Sequence, residues 1–457
     1  MTNADTVLAP VHWSAEARRL LSLATPLVAG LVTSALMGVV DTAMLGHLGA
    51  LPLAAVSLTM SVWIIFVAGL YGYLTPVGIL IGQAHGAGDP RAIASVVHEG
   101  RVLALRAGLF SGVVMALILP VLPRLGQPPE VVAIIAPYWL AVAAMLPGFA
   151  LSLVYKQALE AIDRPWLAVA LAFTAVLFNA ALNWVLIFGH FGVPPLGLAG
   201  AGIGTTLAVW FMVGLQVLVC HRTRALRARF TGAEGDTARR AQLRHEGLPM
   251  GWQYVLEGGA VAVVGIFIGW LGALALAANQ VVMAVAGVLY MVPLGMAAAT
   301  SLRIAQAIGA DEIMRVRGIG LAGLAIVTAW LLVATALLTI FAQPIARAFV
   351  DDPAVIGLAA ALFFTVGLMQ VLDGVQSVSL GALRGMLDSH WPTRVSLLAY
   401  WGLSVPLAWL IGVVLDYGLV GVWAGFGLGL ALAGAMLLRR FLAMTAPARG
   451  AGSDTAR

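Results

Sequence analysis

The feature that most constrains this chain is a series of twelve apolar runs, each long enough to cross a lipid bilayer. They lie near 20–45, 53–80, 96–122, 131–155, 166–190 and 196–220, then near 248–270, 276–305, 317–343, 354–380, 395–415 and 418–440. A bilayer's ~30 Å hydrocarbon core takes about 20 apolar residues as a helix. Membrane barrel strands are alternating segments of ~10 residues, and these runs are longer and do not alternate, so helices are expected. Hydrophobic residues make up 61% of the chain and charged ones 10%, whereas a soluble domain is about 25% charged. The single cysteine, Cys220, has no partner for an intrachain disulfide. The expected class is an all-α polytopic membrane protein. Arg18 and Arg19 precede the first run as they would in a secretory leader. That run is too long for one and lacks an A-x-A cleavage site, so it reads as a retained spanning helix.

The basic residues set the expected topology. They are arginines apart from Lys156, and they sit in short clusters between apolar runs, unlike a nucleic-acid patch with interleaved aromatics. No nucleic-acid partner is expected. The two tails and the even-numbered connections hold most of them; the odd-numbered ones hold only Arg124 and Arg347. The positive-inside rule then places both termini in the cytoplasm. Residues 221–247, HRTRALRARFTGAEGDTARRAQLRHEG, form the one long internal polar stretch and read as a cytoplasmic linker.

The two halves repeat. GHLGALPLAA (46–55) matches GWLGALALAA (269–278) at eight of ten positions, at an offset of 223. At the same offset Pro26 meets Pro249, and IGQAHGAGD (81–89) meets IAQAIGADE (304–312). GLAGAGIG (197–204) meets GLVGVWAG (418–425) at an offset of 221. Each repeat has six spans, so both enter the membrane from the same side. The expectation is two six-helix lobes related by a pseudo-two-fold axis along the membrane normal, a transporter architecture. Expected boundaries are a tail at 1–19, an N-lobe at 20–220, the linker at 221–247, a C-lobe at 248–440 and a tail at 441–457.

Three acids lie well inside apolar runs: Asp41, Glu257 and Asp373. On insertion scales each costs about 2.5–3.5 kcal/mol near the bilayer centre, so each should face a wet cavity or a partner. Glu257 and Asp373 fall at matching depths, ~13 Å from the cytoplasmic ends of their helices at 1.5 Å per residue. Two such carboxylates in one cavity do not both ionise cheaply, so one holds a proton or both hold a cation. Asn179 and Asn183 share one helix face by their i, i+4 spacing, at a depth comparable to Asp41. Their amide oxygens beside a carboxylate suit a hard monovalent cation or a protonated acid. Hydrogen bonding between helices is the alternative reading of the asparagines.

MGVVDTAMLGHLG, GQAHGAGD, FNAALNWVLIFG and PLGLAGAG, with Glu257 and DGVQSVSLGALRGMLD, resemble the MATE (multidrug and toxic compound extrusion) transporters over about residues 20–440. Asn183 and the Glu257/Asp373 pair resemble the NorM branch. The resemblance implies export of small cationic, amphipathic organic compounds across a bacterial cytoplasmic membrane in exchange for Na+ or H+. It implies coupling residues Glu257 and Asp373 in the C-lobe, with Na+ as a candidate ligand, and Asp41, Asn179 and Asn183 in the N-lobe. Met369 departs from the family pattern, which often has tyrosine there. Met37, Phe267, Met283, Met291 and Met369 are candidates for an adaptable apolar substrate wall. The lipid bilayer is the expected environment; no cofactor beyond the coupling ion and no obligatory protein partner is inferred.

Two other classes compete. A lipid-linked oligosaccharide flippase of the wider superfamily would be expected to carry cavity arginines, whereas the intramembrane charges here are acidic. An intramembrane protease would need GAGD (86–89) to be catalytic, but Asp89 precedes Pro90 in an expected loop and its repeat mate is Glu312. H-E-x-x-H, G-x-S-x-G and G-x-x-x-x-G-K motifs are absent. A non-enzyme is expected.

Overall fold

The computed structural model describes residues 13–232 and 234–446; the outer parts of both expected tails lie outside the described residues. Within them the chain is helical and has no strand. The first half comprises α1 (Trp13–Gly46), α2 (Ala50–Gly86), α3 (Pro90–Ile118), a 3-10 turn (Leu119–Leu125), α4 (Pro129–Ala161), α5 (Pro165–Phe188) and α6 (Gly197–Arg222). A short α7 (Arg224–Phe230) leads to α8 (Thr237–Trp270), α9 (Ala273–Gly309), α10 (Ile313–Ile340), a short α11 (Ala342–Arg347) and α12 (Pro353–Gly385). The eleventh span comprises α13 (His390–Ser396), a π-helical stretch (Leu397–Ser404), α14 (Val405–Trp409) and a second π-helical stretch (Leu410–Val414). The last helix is α15 (Gly418–Met444). Among the described residues, twelve helical stretches are long and apolar enough to cross a membrane.

The repeat is visible in the backbone. α1 and α8 are each 34 residues long, α2 and α9 each 37, and α4 and α12 each 33. Both α2 and α9 begin after a glycine at positive φ, Gly49 at 105° and Gly272 at 98°, a conformation that side-chain-bearing residues rarely adopt. The repeats part at the fifth span, which is continuous in α5 but widened into π turns around Pro406. Pro406 lies in α14 between the two π-helical stretches, where it offers no N–H.

The described chain forms two compact units, one Pro26–Gly258, the other Gly259 onward together with the residues up to Thr25. The first turns of two helices show what holds each unit. Glu16 of α1 is buried and accepts from the Arg315 guanidinium of α10 at 2.6 and 3.0 Å, so the start of α1 belongs with the later unit. The start of α8 belongs with the earlier one. There Glu99 of α3, wholly buried, accepts from the Arg240 guanidinium and, at 2.8 Å, from the Asp236 backbone N–H. The Asp236 carboxylate in turn caps α8 through the Arg239 N–H at 3.0 Å.

Much of the 221–247 stretch is helix, in α7 and the start of α8. Leu226 and Phe230 of α7 are buried, and Phe230 stacks on Tyr155 of α4 with centroids 6.0 Å apart and planes 5° from parallel. Elsewhere large apolar side chains such as Phe110, Leu117 and Ile340 stand exposed on the helix surfaces, as a lipid-facing exterior requires.

Candidate cation and proton site

The Pro26–Gly258 unit brings three of the sequence candidates together. Asp41 lies five residues before the end of α1, Asn183 five before the end of α5, and Thr205 eight past the start of α6. Asn183 donates its amide to Asp41 Oδ1 at 2.6 Å, and the Thr205 hydroxyl lies 3.0 Å from Asp41 Oδ2. Asn179 donates to Thr205 Oγ1 at 3.2 Å and accepts from Asn183 at 3.4 Å. Both asparagines are fully buried. Among the described residues no arginine, lysine or histidine pairs with Asp41; neutral donors alone hold it. Tyr138 of α4 is buried and lies against Gly202 of α6.

Two features of this cluster bear on ion binding. The Thr205 hydroxyl has one hydrogen and two acceptors at 3.0 Å, Asp41 Oδ2 and the Ala201 carbonyl. Its donation can shift between them as the Asp41 charge changes. Asn183 Oδ1 is buried without a hydrogen-bond partner, against Gly204, where an added Cβ would fall 2.3 Å away. Only glycine leaves room for that oxygen. Asp41, Asn179, Asn183 and Thr205 thus supply carboxylate, amide and hydroxyl oxygens, the donor set of a hard cation or of a proton held on the acid. No group of three or more His, Cys, Asp or Glu able to hold a metal occurs among the described residues. Thr205 and Tyr138 were not picked out from sequence. The Thr205–Thr206 pair, a polar break in the apolar run of α6, was the available signal for the threonine.

The other candidates are placed separately. Glu257 lies one residue from the end of the Pro26–Gly258 unit, and Asp373 lies on α12 in the other unit; both are partly buried. The α12 face around Asp373 is polar and tied down. Gln370 donates to the Ala286 carbonyl at 2.8 Å, Gln376 pairs with the Tyr400 hydroxyl at 2.9 Å, and Ser377 bonds the Tyr290 hydroxyl at 2.7 Å. Phe267 and Met369 belong to the apolar core of their unit, with Met283 packed against it; Met369 lies along Gly427 of α15. Met37 and Met291 are partly exposed. Asp89 caps α3, accepting from the Arg91 and Ala92 N–H groups at 2.9 and 3.0 Å.

The MatE family profile matches this chain twice, at residues 26–185 and 249–410. The chain belongs to the MatE family. The two matched segments start 223 residues apart, the offset of the internal repeat. Relatives named probable multidrug resistance protein NorM align nearly end to end. The Synechococcus sp. protein is 32% identical, covering 94% of this chain and 95% of its own length. The Deinococcus radiodurans protein is 34% identical, covering 98% and 100%. A multidrug resistance MATE family transporter of the MOP superfamily, solved in an outward-facing conformation, superposes with a TM-score of 0.84 at 18% identity, covering 96% of this chain and 98% of its own. The Vibrio cholerae MATE transporter VcmN in its bent form gives 0.83 at 22%, covering 95% and 98%. At these identities the structures support the MatE fold. With the family shown, the chain is a multi-pass membrane transporter and not an enzyme, and Asp89 is a helix cap within it.

Proposed function

We propose that this transporter exports small cationic, amphipathic organic compounds by alternating access, in exchange for Na+ or H+. The observation that carries the reading is Asp41: a carboxylate within a spanning helix, held by an amide and a hydroxyl with no basic partner among the described residues. Such a group retains a demand for positive charge that neutral donors do not meet. A proton, a sodium ion or the cationic substrate can each meet it. Loading the site with an inward-moving ion removes the charge that held the substrate, so ion entry favours substrate release. By linkage the substrate must weaken the ion equally. Thr205 follows the charge, donating to Asp41 when it is ionised and to Ala201 when it is neutral.

Glu257 and Asp373, each an acid within a spanning helix, are the other coupling residues proposed, with Na+ or H+ as the ion. Met37, one helical turn before Asp41, and Met291, beside Tyr290, are proposed to touch substrate; Phe267, Met283 and Met369 act through packing. The arginine distribution supports cytoplasmic termini in a bacterial cytoplasmic membrane. An acidic rather than arginine-lined Asp41 cluster favours cations over pyrophosphate lipids. The deciding experiment is transport by purified protein in liposomes under an imposed sodium gradient or an imposed pH gradient alone. Dye accumulation under one gradient supports exchange, and accumulation under neither overturns it.

A further inference from the structure

The two arginines on the odd-numbered connections, Arg124 and Arg347, are repeat mates at an offset of 223. Arg347 ends α11, and Arg124 is the last but one residue of the 3-10 turn, each a short element after the third span of its repeat. The positive-inside rule disfavours arginine at these positions, so their retention calls for a local reason. At Arg347 the structure offers one. An open surface cavity of about 380 Å³ lies between α11 and the start of α12, lined by Gln343, Arg347, Asp351 and Pro353, all exposed, with partly buried Val350 and Ile356. Arg347 and Asp351 line the same cavity, yet neither enters an ion pair among the described residues.

The cavity's position fixes what can reach it. It lies at the end of α10 remote from Arg315 and Arg317. That helix has 28 residues, about 42 Å at 1.5 Å per residue, enough to carry its end through a ~30 Å core into the headgroup layer. Val333, Leu337 and Ile340, spaced three and four apart on α10, form an exposed apolar stripe leading toward this end. A ligand that places an anion and a cation a few bonds apart above an apolar track is a phospholipid.

We propose that this cavity binds the headgroup of an ethanolamine phospholipid, its phosphate on Arg347 and its ammonium on Asp351, with the acyl chains along the α10 stripe. A guanidinium matches phosphate geometry through paired N–H donors. A primary ammonium donates hydrogen bonds to a carboxylate, and a quaternary choline has none to give. The other repeat has Arg124 but Pro128 at the position matching Asp351, so it lacks the acid and serves as an internal control.

The test is native mass spectrometry of the purified, detergent-solubilised full chain, titrated with phosphatidylethanolamine, phosphatidylcholine or phosphatidylglycerol. Thermal unfolding of each variant checks that it is folded. Wild type should retain one phosphatidylethanolamine about tenfold more tightly than phosphatidylcholine, the scale of one hydrogen bond to a charged group. Arg347→Gln should lose this lipid, Asp351→Asn should bind the ethanolamine and choline lipids alike, and Arg124→Gln should behave as wild type. Equal retention of the three lipids by wild type, or undiminished phosphatidylethanolamine binding by Arg347→Gln, would overturn the proposal. So would an Arg124→Gln loss as large as that of Arg347→Gln.

Discussion

Asn183 donates its side-chain amide to Asp41 across 2.6 Å, joining residues 142 positions apart in the chain. Hydrogen bonds to charged groups contribute about 1.5–3 kcal/mol, so Asn183→Leu should weaken the charge-dependent step about tenfold or more. Ethidium efflux from cells at matched expression measures this. Undiminished efflux would show that the amide is only a packing contact.

Gly204→Ala tests the same contact from the other side. The new methyl would fall 2.3 Å from Asn183 Oδ1, so the amide must turn or the helices must part. Overpacking of this kind costs about 1–3 kcal/mol. The variant should melt several degrees lower and lose efflux in step with Asn183→Leu. An unchanged melting temperature with full efflux would contradict the close approach.

Asp373→Asn and Glu257→Gln should each abolish efflux while the protein still inserts and folds. The substituted amides keep the shape but remove the charge that a coupling ion would meet. Normal drug resistance in either variant at equal expression would remove that residue from the coupling scheme.

The Asp89 carboxylate caps α3, and asparagine caps about as well. Asp89→Asn should therefore transport normally, while Asp89→Ala should cost about 1 kcal/mol of stability, read as a lower melting temperature. Loss of transport in Asp89→Asn would show a role beyond the cap.

Glu99 ties the start of α8 to α3 through Arg240 and the Asp236 N–H. Glu99→Ala should loosen the arginine-rich stretch around α7, and trypsin should cleave it faster, on the order of tenfold, because local opening governs cleavage. A cleavage rate equal to wild type would mean that Phe230 stacking on Tyr155 holds the segment by itself.

The spans, their number and the repeat were legible in the sequence because each is a one-dimensional property: length of apolar run, spacing of arginines, offset of matching strings. The Asp41 cluster was half legible. An i, i+4 asparagine pair on one helix announces itself, whereas Thr205 reaches Asp41 only because α6 packs on α5 with glycines at the contact. The long-range pairings of the helix starts were not legible. Hydropathy marks where a helix enters lipid but carries no sign that Glu16 pairs with Arg315, 299 positions away, or Glu99 with Arg240.

The most direct test of the account is cationic-dye binding to the purified, solubilised protein as pH is lowered and, separately, as Na+ is added, in wild type and Asp41→Asn. Protonation or sodium binding removes the Asp41 charge, so one of the two titrations should weaken dye binding to wild type by about tenfold or more. Asp41→Asn should bind weakly, with a flat response to both. An ion dependence in Asp41→Asn as steep as in wild type would contradict the claim that substrate and coupling ion compete for this carboxylate.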